Sequence, residues 1–303
     1  MSGTRQVLTP TDRFLPFHTS SPWFEEYLQL HINSKAAMAN HNNLERERIA
    51  TLRSHVIQQA RDEFDARYPD VTFSRTVALI CAYEEEGNIG DVLKAMPTTA
   101  CGQDVTTLVI VDGGSDKTAD ISREAGVLTF VFPANLGHGV ALQVGYRLCI
   151  EKKVDYVVTL DADGQNDPGE IPTMLEPLVE NESDFVVASR RLGVDTTTDR
   201  FRKVGVVFFS TIMNAMTGAK LTDTSNGYRS LRVSMLADVV DRLQQEQYQT
   251  AELLITCLKR GWKVTERPTV WLPRQSGTTK KGKNWLFGFR YARVVISTWW
   301  RER

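Results

Sequence analysis

The sequence lacks the features that would assign it to several large classes of protein. No apolar run reaches the ~18 residues of a membrane-spanning helix, and residues 1–15 contain no apolar segment typical of a signal peptide. A formal net charge of −1 gives no indication of nucleic-acid binding. The four cysteines show no Cys-x-x-Cys spacing, which favours reduced thiols and a cytoplasmic protein. They are Cys81, Cys101, Cys149 and Cys257.

Two signatures of nucleotide-binding proteins are also missing. No Gly-x-Gly-x-x-Gly motif lies at the start of the helix that is predicted after the first strand, which weighs against a dinucleotide-binding site. No glycine-rich loop bearing Arg and Lys follows the first predicted strand, which weighs against a sugar nucleotidyltransferase. What is present is the composition of an ordinary globular protein, with 42% hydrophobic and 24% charged residues. A length of 303 residues suits one large α/β domain with an appendage, or two domains.

The N-terminal part of the chain is predicted to be helical. Ser21 followed by Pro22 signals the start of a short helix. Across the range 43–68, apolar residues recur every three or four positions among charges, which predicts an amphipathic helix that Pro69 ends. We assign residues 1–70 to an N-terminal helical extension packed on the main domain. A role of this extension in partner binding or homo-oligomerisation stays open.

Beyond residue 70 the predicted strands and helices alternate. This order predicts an α/β domain over residues 71–283, with a mostly parallel central sheet flanked by helices. The predicted strands are Thr76–Cys81, Thr107–Val111, Val127–Phe132 and Asp155–Leu160. The predicted helices are Asn88–Met96, a helix that Ser115 or Asp116 caps and Gly126 ends, and Gly139–Lys152.

Two carboxylates one residue apart follow the most apolar of these strands. The run Tyr156–Leu160 leads directly into Asp161-Ala-Asp163, and Gln165 adds a neutral oxygen. Open α/β sheets place their ligands at the carboxyl ends of the strands. Two carboxylates and one amide oxygen suit Mg²⁺ or Mn²⁺, and phosphate oxygens would supply the other ligands of the ion. A strand-end turn with solvated acids is the alternative for an isolated Asp-x-Asp.

Three further strand ends or loops carry residues suited to a nucleotide. Tyr83 offers an aromatic face to a base, and Glu85 offers a carboxylate to a ring nitrogen or a ribose hydroxyl. An acidic helix N-terminus is the structural alternative for Glu85. Asp112 can accept a hydrogen bond from base or ribose. The loop 135–139 leads into a helix whose N-terminal amides can face phosphates.

Taken together, these motifs resemble glycosyltransferase family 2, the inverting enzymes of GT-A fold. Four stretches carry the resemblance. The family patterns Pro-Ala-Tyr-Asn-Glu-x-x-Asn-Ile, Val-Asp-Asp-Gly-Ser-x-Asp-x-Thr, Asn-x-Gly-Lys-Gly-x-Ala-Leu and Asp-Ala-Asp-x-Gln-x-x-Pro correspond to Cys81–Ile89, Val111–Thr118, Asn135–Leu142 and Asp161–Pro168.

Within that family the chain is most similar to the dolichyl-phosphate mannose synthase group, which transfers sugars to polyprenyl phosphates. Ala188–Arg191 corresponds to Gly-Ser-Arg-Tyr, and Arg202-Lys203 to a basic pair. Asp223–Arg229 corresponds to Asp-Pro-Thr-Ser-Gly-Phe-Arg, and Arg274–Lys280 to Arg-x-x-Gly-x-Ser-Lys. Departures from the family patterns at Cys81, Glu84 and Gly113 keep open a non-catalytic nucleotide-sugar-binding protein.

The resemblance implies a site for a nucleotide-diphosphate sugar of GDP-mannose or UDP-hexose type. The implied donor-binding residues are Ala82, Tyr83, Glu85, Asp112, Asp161, Ala162 and Asp163, and the implied metal ligands are Asp161, Asp163 and Gln165. An anionic polyprenyl-phosphate acceptor needs no strong base but needs cations, which Arg190, Arg202, Arg229, Arg274 and Lys280 are expected to supply. A soluble acceptor with a hydroxyl group (a glycan, a small molecule or a protein) needs a base, for which Asp223 is the candidate.

The C-terminal segment combines cations with large aromatic side chains. Residues 284–303 are predicted to form a helix, either packed on the core or lying on anionic lipid at the inner face of a membrane.

Overall fold

The computed structural model describes residues 43–197, 200–274, 276 and 284–303, and contacts divide the chain into the compact units 1–56 and 57–303. The helix start predicted at Ser21 lies outside the described residues, as does Lys280. A helix over Asn43–Arg67, here α1, confirms the amphipathic helix predicted for this region.

The alternation of strands and helices predicted after residue 70 is confirmed. The strands are β1 (Thr76–Ala82), β2 (Thr99–Ala100), β3 (Gln103–Val111), β4 (Leu128–Val131), β5 (Tyr156–Asp161), β6 (Phe185–Asp195), β7 (Arg229–Arg232) and β8 (Val264–Trp271). The helices after α1 are α2 (Ile89–Ala95), α3 (Thr118–Glu124), α4 (His138–Glu151), α5 (Ile171–Val179), α6 (Arg200–Thr217), α7 (Val233–Val239), α8 (Gln249–Lys259) and α9 (Asn284–Arg301). Short 3₁₀ turns occupy Pro168–Glu170 and Val240–Arg242.

The strands form one mixed and mostly parallel sheet in the order β4-β3-β1-β5-β7-β6-β8. Strand β1 is parallel to β3 and β5, β3 is parallel to β4, and β6 is parallel to β8. The four-residue β7 runs antiparallel to both β5 and β6, and β2 pairs antiparallel with β3. The sheet therefore has a parallel nucleotide half and a second half joined to it through one reversed strand.

The core lies on both faces of this sheet. All seven residues of β1 are buried, as the continuous apolar run predicts for a central parallel strand. Helix α4 packs closely on β1, since a Cβ added at Gly145 would lie 2.6 Å from Leu79 Cδ1. Within the second unit, Phe64 of α1 packs on Phe130 of β4 with ring centroids 5.5 Å apart.

All four cysteines are free thiols, and Cys101 is the exposed one. None of the helices within the described residues is both long and apolar enough to cross a membrane.

Candidate active site

The carboxyl ends of three neighbouring strands bring the predicted donor residues together. Cys81 at the end of β1 lies opposite Asp161 of β5, and Ala82 lies opposite Val111 of β3. The backbone N–H of Asp112 then donates to the Ala82 carbonyl at 2.8 Å. Burial raises the pKa of the Cys81 thiol, and the nearby carboxylates of Asp112 and Asp161 raise it further. Two predicted donor carboxylates therefore flank the same strand end.

Asp112 is buried and bound to the next loop of the chain. Its carboxylate accepts from the N–H of Leu136 at 2.7 Å, from the N–H of Gly137 at 3.0 Å and from the Asn135 side-chain amide at 3.2 Å. The neighbouring Gly113 has φ +71°, and a Cβ there would lie 2.5 Å from backbone carbon of the facing loop. The absence of the family's aspartate at this position thus follows from close packing of two loops.

The N-terminus of α4 does not present its first amides to a ligand in the way the sequence suggested. The N–H of Gly139 donates to the Glu246 carbonyl at 2.7 Å. Buried Glu252 holds that covering loop by accepting from the N–H groups of Gln244 and Gln245 at 2.9–3.0 Å. Glu252 was not predicted from the sequence, although a glutamate within the apolar run of α8 was a signal for a buried polar role.

The Asp-x-Asp pair and Gln165 carry oxygen donors of the kind that a hard divalent cation prefers. The carboxylate of Asp161 accepts no hydrogen bond from the described residues, and Asp163 accepts from the N–H of Gln165 at 3.1 Å. The Gln165 side-chain N–H donates to the Leu272 carbonyl at 3.2 Å, and the amide oxygen accepts no hydrogen bond from the described residues. The described residues contain no cluster of three or more His, Cys, Asp or Glu suited to a metal. Two carboxylates and one amide oxygen are thus the donors available here, and a metal bound to them would need further ligands such as diphosphate oxygens.

Arg274 joins the two parts of the donor site. Its Nη2 is hydrogen-bonded to Glu85, and its Nη1 lies 3.4 Å from Asp163 Oδ2. The same side chain donates from Nε to the Ser276 carbonyl at 2.9 Å. Ser276 in turn donates to the Asn88 side chain from its N–H at 3.0 Å and from its hydroxyl at 2.8 Å. A guanidinium thus neutralises the carboxylate expected at the base and one of the carboxylates expected at the metal.

The other predicted donor residues surround this arrangement. Tyr83 is partly exposed, and burial together with the Glu84 carboxylate raises the pKa of its hydroxyl. A Cβ at Gly114 would lie 3.8 Å from the Tyr83 ring, so the ring covers a glycine surface. Ala82 and Ala162 are buried with 2–3% exposure. Both alanines can therefore offer little more than backbone groups to a donor.

A buried ion pair lies among the residues predicted to bind the acceptor. Arg190 donates to Asp223 from Nε at 2.6 Å and from Nη2 at 2.8 Å, and its own backbone N–H donates to the same carboxylate at 3.2 Å. The N–H and hydroxyl of Ser225 add two contacts to Asp223 at 3.2–3.3 Å. The Arg190 guanidinium also lies over the Trp271 ring at 5.0 Å. Asp223 is fully buried and accepts from five donors.

Arg229 occupies a different environment from Arg190 and Arg274. It is 1% exposed, burial lowers the pKa of its guanidinium, and it donates to the backbone carbonyls of Thr224, Asn226 and Thr250. This residue therefore fixes the turn that follows Asp223. Arg202 lies in the first turn of α6, and its side chain is outside the described part of the structure.

Glu266 is a further residue that sequence analysis did not select. Its carboxylate accepts from the N–H of Thr222 at 2.8 Å and from the N–H of Asp223 at 2.8 Å, so it holds the backbone that carries the ion pair. Glu266 belongs to β8 and lies 43 residues from Asp223 in the sequence. No strand was predicted for this part of the sequence, and the residues next to Glu266 gave no local indication of this role.

A model of glycosyl transferase family 2 matches residues 77–240, which are 164 of the 303 residues. The chain belongs to glycosyl transferase family 2. It is therefore a glycosyltransferase, and the alternative of a non-catalytic nucleotide-sugar-binding protein is wrong.

The similar family 2 glycosyltransferases include proteins named for polyprenyl-phosphate transfer. The dolichyl-phosphate hexose transferase of Haloferax volcanii is 29% identical over 211 residues, which are 70% of this chain and 88% of that protein. The undecaprenyl-phosphate mannosyltransferase of Micrococcus luteus is 26% identical over 215 residues, which are 68% of this chain and 87% of that protein.

The same fold occurs in a solved glycosyltransferase. The crystal structure of glucosyl-3-phosphoglycerate synthase from Mycobacterium tuberculosis, in complex with Mn²⁺, UDP-glucose and phosphoglyceric acid, superposes with a TM-score of 0.59. It is 16% identical, and the match covers 78% of this chain and 83% of that one. The expected GT-A fold of this family 2 enzyme is thereby confirmed.

Proposed function

We propose that this glycosyltransferase moves a hexose from a nucleotide-diphosphate sugar, of GDP-mannose or UDP-hexose type, to a polyprenyl phosphate with inversion at the anomeric carbon. In the proposed reaction, an oxygen of the acceptor phosphate attacks the anomeric carbon. The bond from that carbon to the donor diphosphate breaks, and a nucleoside diphosphate leaves. The similar proteins named for transfer to dolichyl and undecaprenyl phosphate support this acceptor class.

The state of Asp223 is the observation that carries the choice of acceptor. A hydroxyl acceptor must lose a proton in the transition state, and a positioned base usually contributes about 10²–10⁴-fold. Asp223 is fully buried and paired with Arg190, so its lone pairs are directed to protein donors rather than toward an acceptor. A phosphate is already anionic at neutral pH and needs no such base. The arrangement therefore favours the phosphate over the hydroxyl.

Cations are the groups that a phosphate acceptor would use. Arg190 donates hydrogen bonds from Nε and Nη2 to Asp223 and Ser225, and its Nη1 makes no hydrogen bond within the described residues. We assign that Nη1 to the acceptor phosphate, with Asp223 and Trp271 fixing the plane of the guanidinium. Arg202 and Lys280 remain proposed acceptor contacts from the sequence. Arg229 is left out because its donors already bind backbone carbonyls.

On the donor side, Asp161, Asp163 and Gln165 would hold the Mg²⁺ or Mn²⁺. The ion would neutralise charge that develops on the departing diphosphate. Tyr83 and Glu85 are proposed to receive the base, and Arg274 would leave Glu85 to contact the diphosphate. Asp112 would act by fixing the adjacent loop around Gly137 instead of contacting the ligand with both oxygens.

The decisive experiment is a donor screen by melting temperature with Mn²⁺ present, followed by transfer assays on two acceptors. A donor at 100 times its Kd should stabilise the fold by ~2.7 kcal/mol. We expect a glycolipid product with a short-chain polyprenyl phosphate and no product with the corresponding polyprenol. Transfer to the polyprenol hydroxyl, with the polyprenyl phosphate left unmodified, would contradict the proposed acceptor.

A further inference from the structure

The large apolar side chains that face solvent are concentrated in one part of the molecule. Eight such side chains are exposed by 37–69% among the described residues, and none belongs to the nucleotide half between residues 71 and 184. They are Leu192, Val194, Val204, Val207, Phe208, Val270, Ile296 and Trp300, and we call this set the acceptor-side surface. Scattered single apolar residues need no explanation, but this restricted distribution does.

Helix α6 supplies the most exposed apolar stripe of this surface. Val204, Val207 and Phe208 are spaced by three and four residues, so they lie on one face of the helix. With Thr211 and Ile212 they line a shallow apolar depression. The opposite face is buried, as Ser210 and Met213 are 0–3% exposed. The helix therefore carries apolar side chains on its solvent face as well as on its buried face.

The other members of the surface are connected to α6 by direct contacts. The rings of Phe209 in α6 and Tyr291 in α9 have centroids 4.6 Å apart, and Trp299 Nε1 donates to the Met216 carbonyl at 2.7 Å. Helix α9 exposes Ile296 and Trp300 by 56% and 67%.

The strand ends join the same region. Lys203 Nζ donates to the Asp195 carbonyl at 3.1 Å, which brings the first turn of α6 to the end of β6. There Val194 pairs with Val270 of β8 in the sheet register. The apolar side chains of two helices and two strand ends thus belong to one connected part of the fold.

Charge identifies the kind of surface that this region fits. Helices α6 and α9 contain no aspartate or glutamate in their 18 residues each. They carry six basic residues, namely Arg200, Arg202, Lys203, Arg290, Arg293 and Arg301. Lys203 lies 3.9 Å from Asp195 and Arg301 pairs with Glu252 and Glu302, whereas Arg290 and Arg293 are exposed. The whole chain has a net charge of −1, so the remaining residues sum to −7. Apolar and aromatic side chains interspersed with Arg and Lys are typical of helices that lie in the interface of an anionic membrane.

We propose that the acceptor-side surface docks on an anionic lipid bilayer, with α6 and α9 lying in the interface. This inference rests on the proposed function, because the polyprenyl-phosphate acceptor is the reason for the enzyme to approach a membrane. It also places the bilayer beside the acceptor site, because the buried face of α6 holds the turn that carries the ion pair. The Thr224 N–H donates to the Ser210 hydroxyl at 3.1 Å, and Thr224 follows Asp223. A polyprenyl phosphate could then reach Arg190 while its chain stays in the membrane.

The test is sedimentation of the full chain with vesicles of phosphatidylcholine alone or mixed with phosphatidylglycerol, without any acceptor. We expect binding to the mixed vesicles and little binding to the neutral ones. Phe208→Asp should lower partitioning onto mixed vesicles by about tenfold, because it removes an apolar anchor and adds a repelled charge. Thr98→Asp is the matched control, since it adds the same charge at an exposed position of the nucleotide half. Its partitioning and the melting temperatures of both variants should equal those of the wild type.

The outcomes separate this surface from the proposed function. Equal wild-type binding to neutral and mixed vesicles, or no binding, would overturn the docking proposal even if a short-chain polyprenyl phosphate is glycosylated. Vesicle binding that Phe208→Asp abolishes, without any lipid product, would leave the surface standing and overturn the proposed acceptor. If Phe208→Asp instead dissolves a dimer and leaves vesicle binding unchanged, the surface is an interface between two copies and the bilayer is the wrong occupant.

Discussion

Arg190 and Asp223 form a bidentate ion pair that is 94% and 100% shielded from solvent, with Nε–Oδ2 and Nη2–Oδ1 distances of 2.6 and 2.8 Å. This geometry changes what Asp223 can do. A carboxylate that accepts two charged and three further hydrogen bonds orients a guanidinium, and it is poorly placed to collect a proton from an acceptor.

Asp223→Asn is therefore expected to act through stability and orientation. Removing one partner of a buried pair leaves an uncompensated charge, which typically costs about 3–5 kcal/mol. Denaturant unfolding should show this loss. Transfer measured where the variant is folded should be slower, but the acid limb of the wild-type pH–rate profile should persist. Disappearance of that limb in the variant would instead identify Asp223 as the base. Asp238→Asn, which breaks a pair with Arg260 that is about one third exposed (32% and 30%), is the control for charge removal.

Asp163→Ala is expected to abolish transfer while the fold remains intact. The residue lies in a loop after β5 with its carboxylate 3.4 Å from Arg274, and the loss of so long a contact should cost little stability, about 0.5–1 kcal/mol. The stabilisation that Mn²⁺ with a nucleoside diphosphate confers on the melting temperature should vanish with it. Asp91→Ala, which removes an exposed carboxylate from α2, should retain both properties. Wild-type turnover of Asp163→Ala in metal-containing buffer would refute the metal assignment.

Arg274→Gln is expected to separate metal binding from catalysis. In the wild type the guanidinium lies 3.4 Å from Asp163, where it competes electrostatically with a divalent cation. The variant should therefore bind Mn²⁺ severalfold more tightly when no donor is present, as measured by electron paramagnetic resonance, yet transfer sugar more slowly. Ser276→Ala, which loosens the same loop without changing charge, should leave Mn²⁺ affinity unchanged. Weaker Mn²⁺ binding by Arg274→Gln would contradict the competition.

Replacing two glycines by alanine is expected to change stability in opposite directions. A Cβ at Gly139 would lie 2.2 Å from the Gln245 carbonyl oxygen, which is backbone and cannot swing aside. Gly139→Ala should destabilise the fold by about 1–3 kcal/mol through overpacking. Gly205 lies within α6 and has no atom within 4 Å of an added Cβ, so Gly205→Ala should stabilise by about 0.5–1 kcal/mol. Chemical denaturation of both variants measures the two changes in the free energy of unfolding. An unchanged stability of Gly139→Ala would show that the loop around Gln245 moves to make room for the added Cβ.

Thiol labelling should distinguish Cys101 from the other cysteines. It is the exposed thiol, whereas Cys81, Cys149 and Cys257 are buried. Burial and then the carboxylates of Glu176 and Glu180 raise the pKa of Cys101, so less thiolate is present at neutral pH than in a free cysteine. A disulfide reagent should therefore modify one thiol in the native protein, slowly at neutral pH and faster as the pH rises. After unfolding it should modify all four thiols. Rapid modification of more than one native thiol would contradict the burial of β1, α4 and α8.

The sequence by itself determined the parts of this protein that depend on local pattern. The apolar run ending at Asp161 predicted β5 and the position of the Asp-x-Asp pair, because a buried parallel strand needs continuous apolar residues and sheet ligands collect at strand ends. The spacing of apolar residues over 43–68 likewise predicted α1. The motif set identified the family, since its spacing reflects a site built from successive strand ends.

Only the tertiary structure decided what several charged residues do. Arg190 and Asp223 are 33 positions apart, and Glu266 reaches Asp223 across 43, so no local period relates them. The short antiparallel β7 starts at Arg229, an arginine of the family motif. It is buried there and donates hydrogen bonds to backbone carbonyls. A charge's role depends on which partners the fold brings within hydrogen-bonding distance and on how much water it removes, and both are properties of packing.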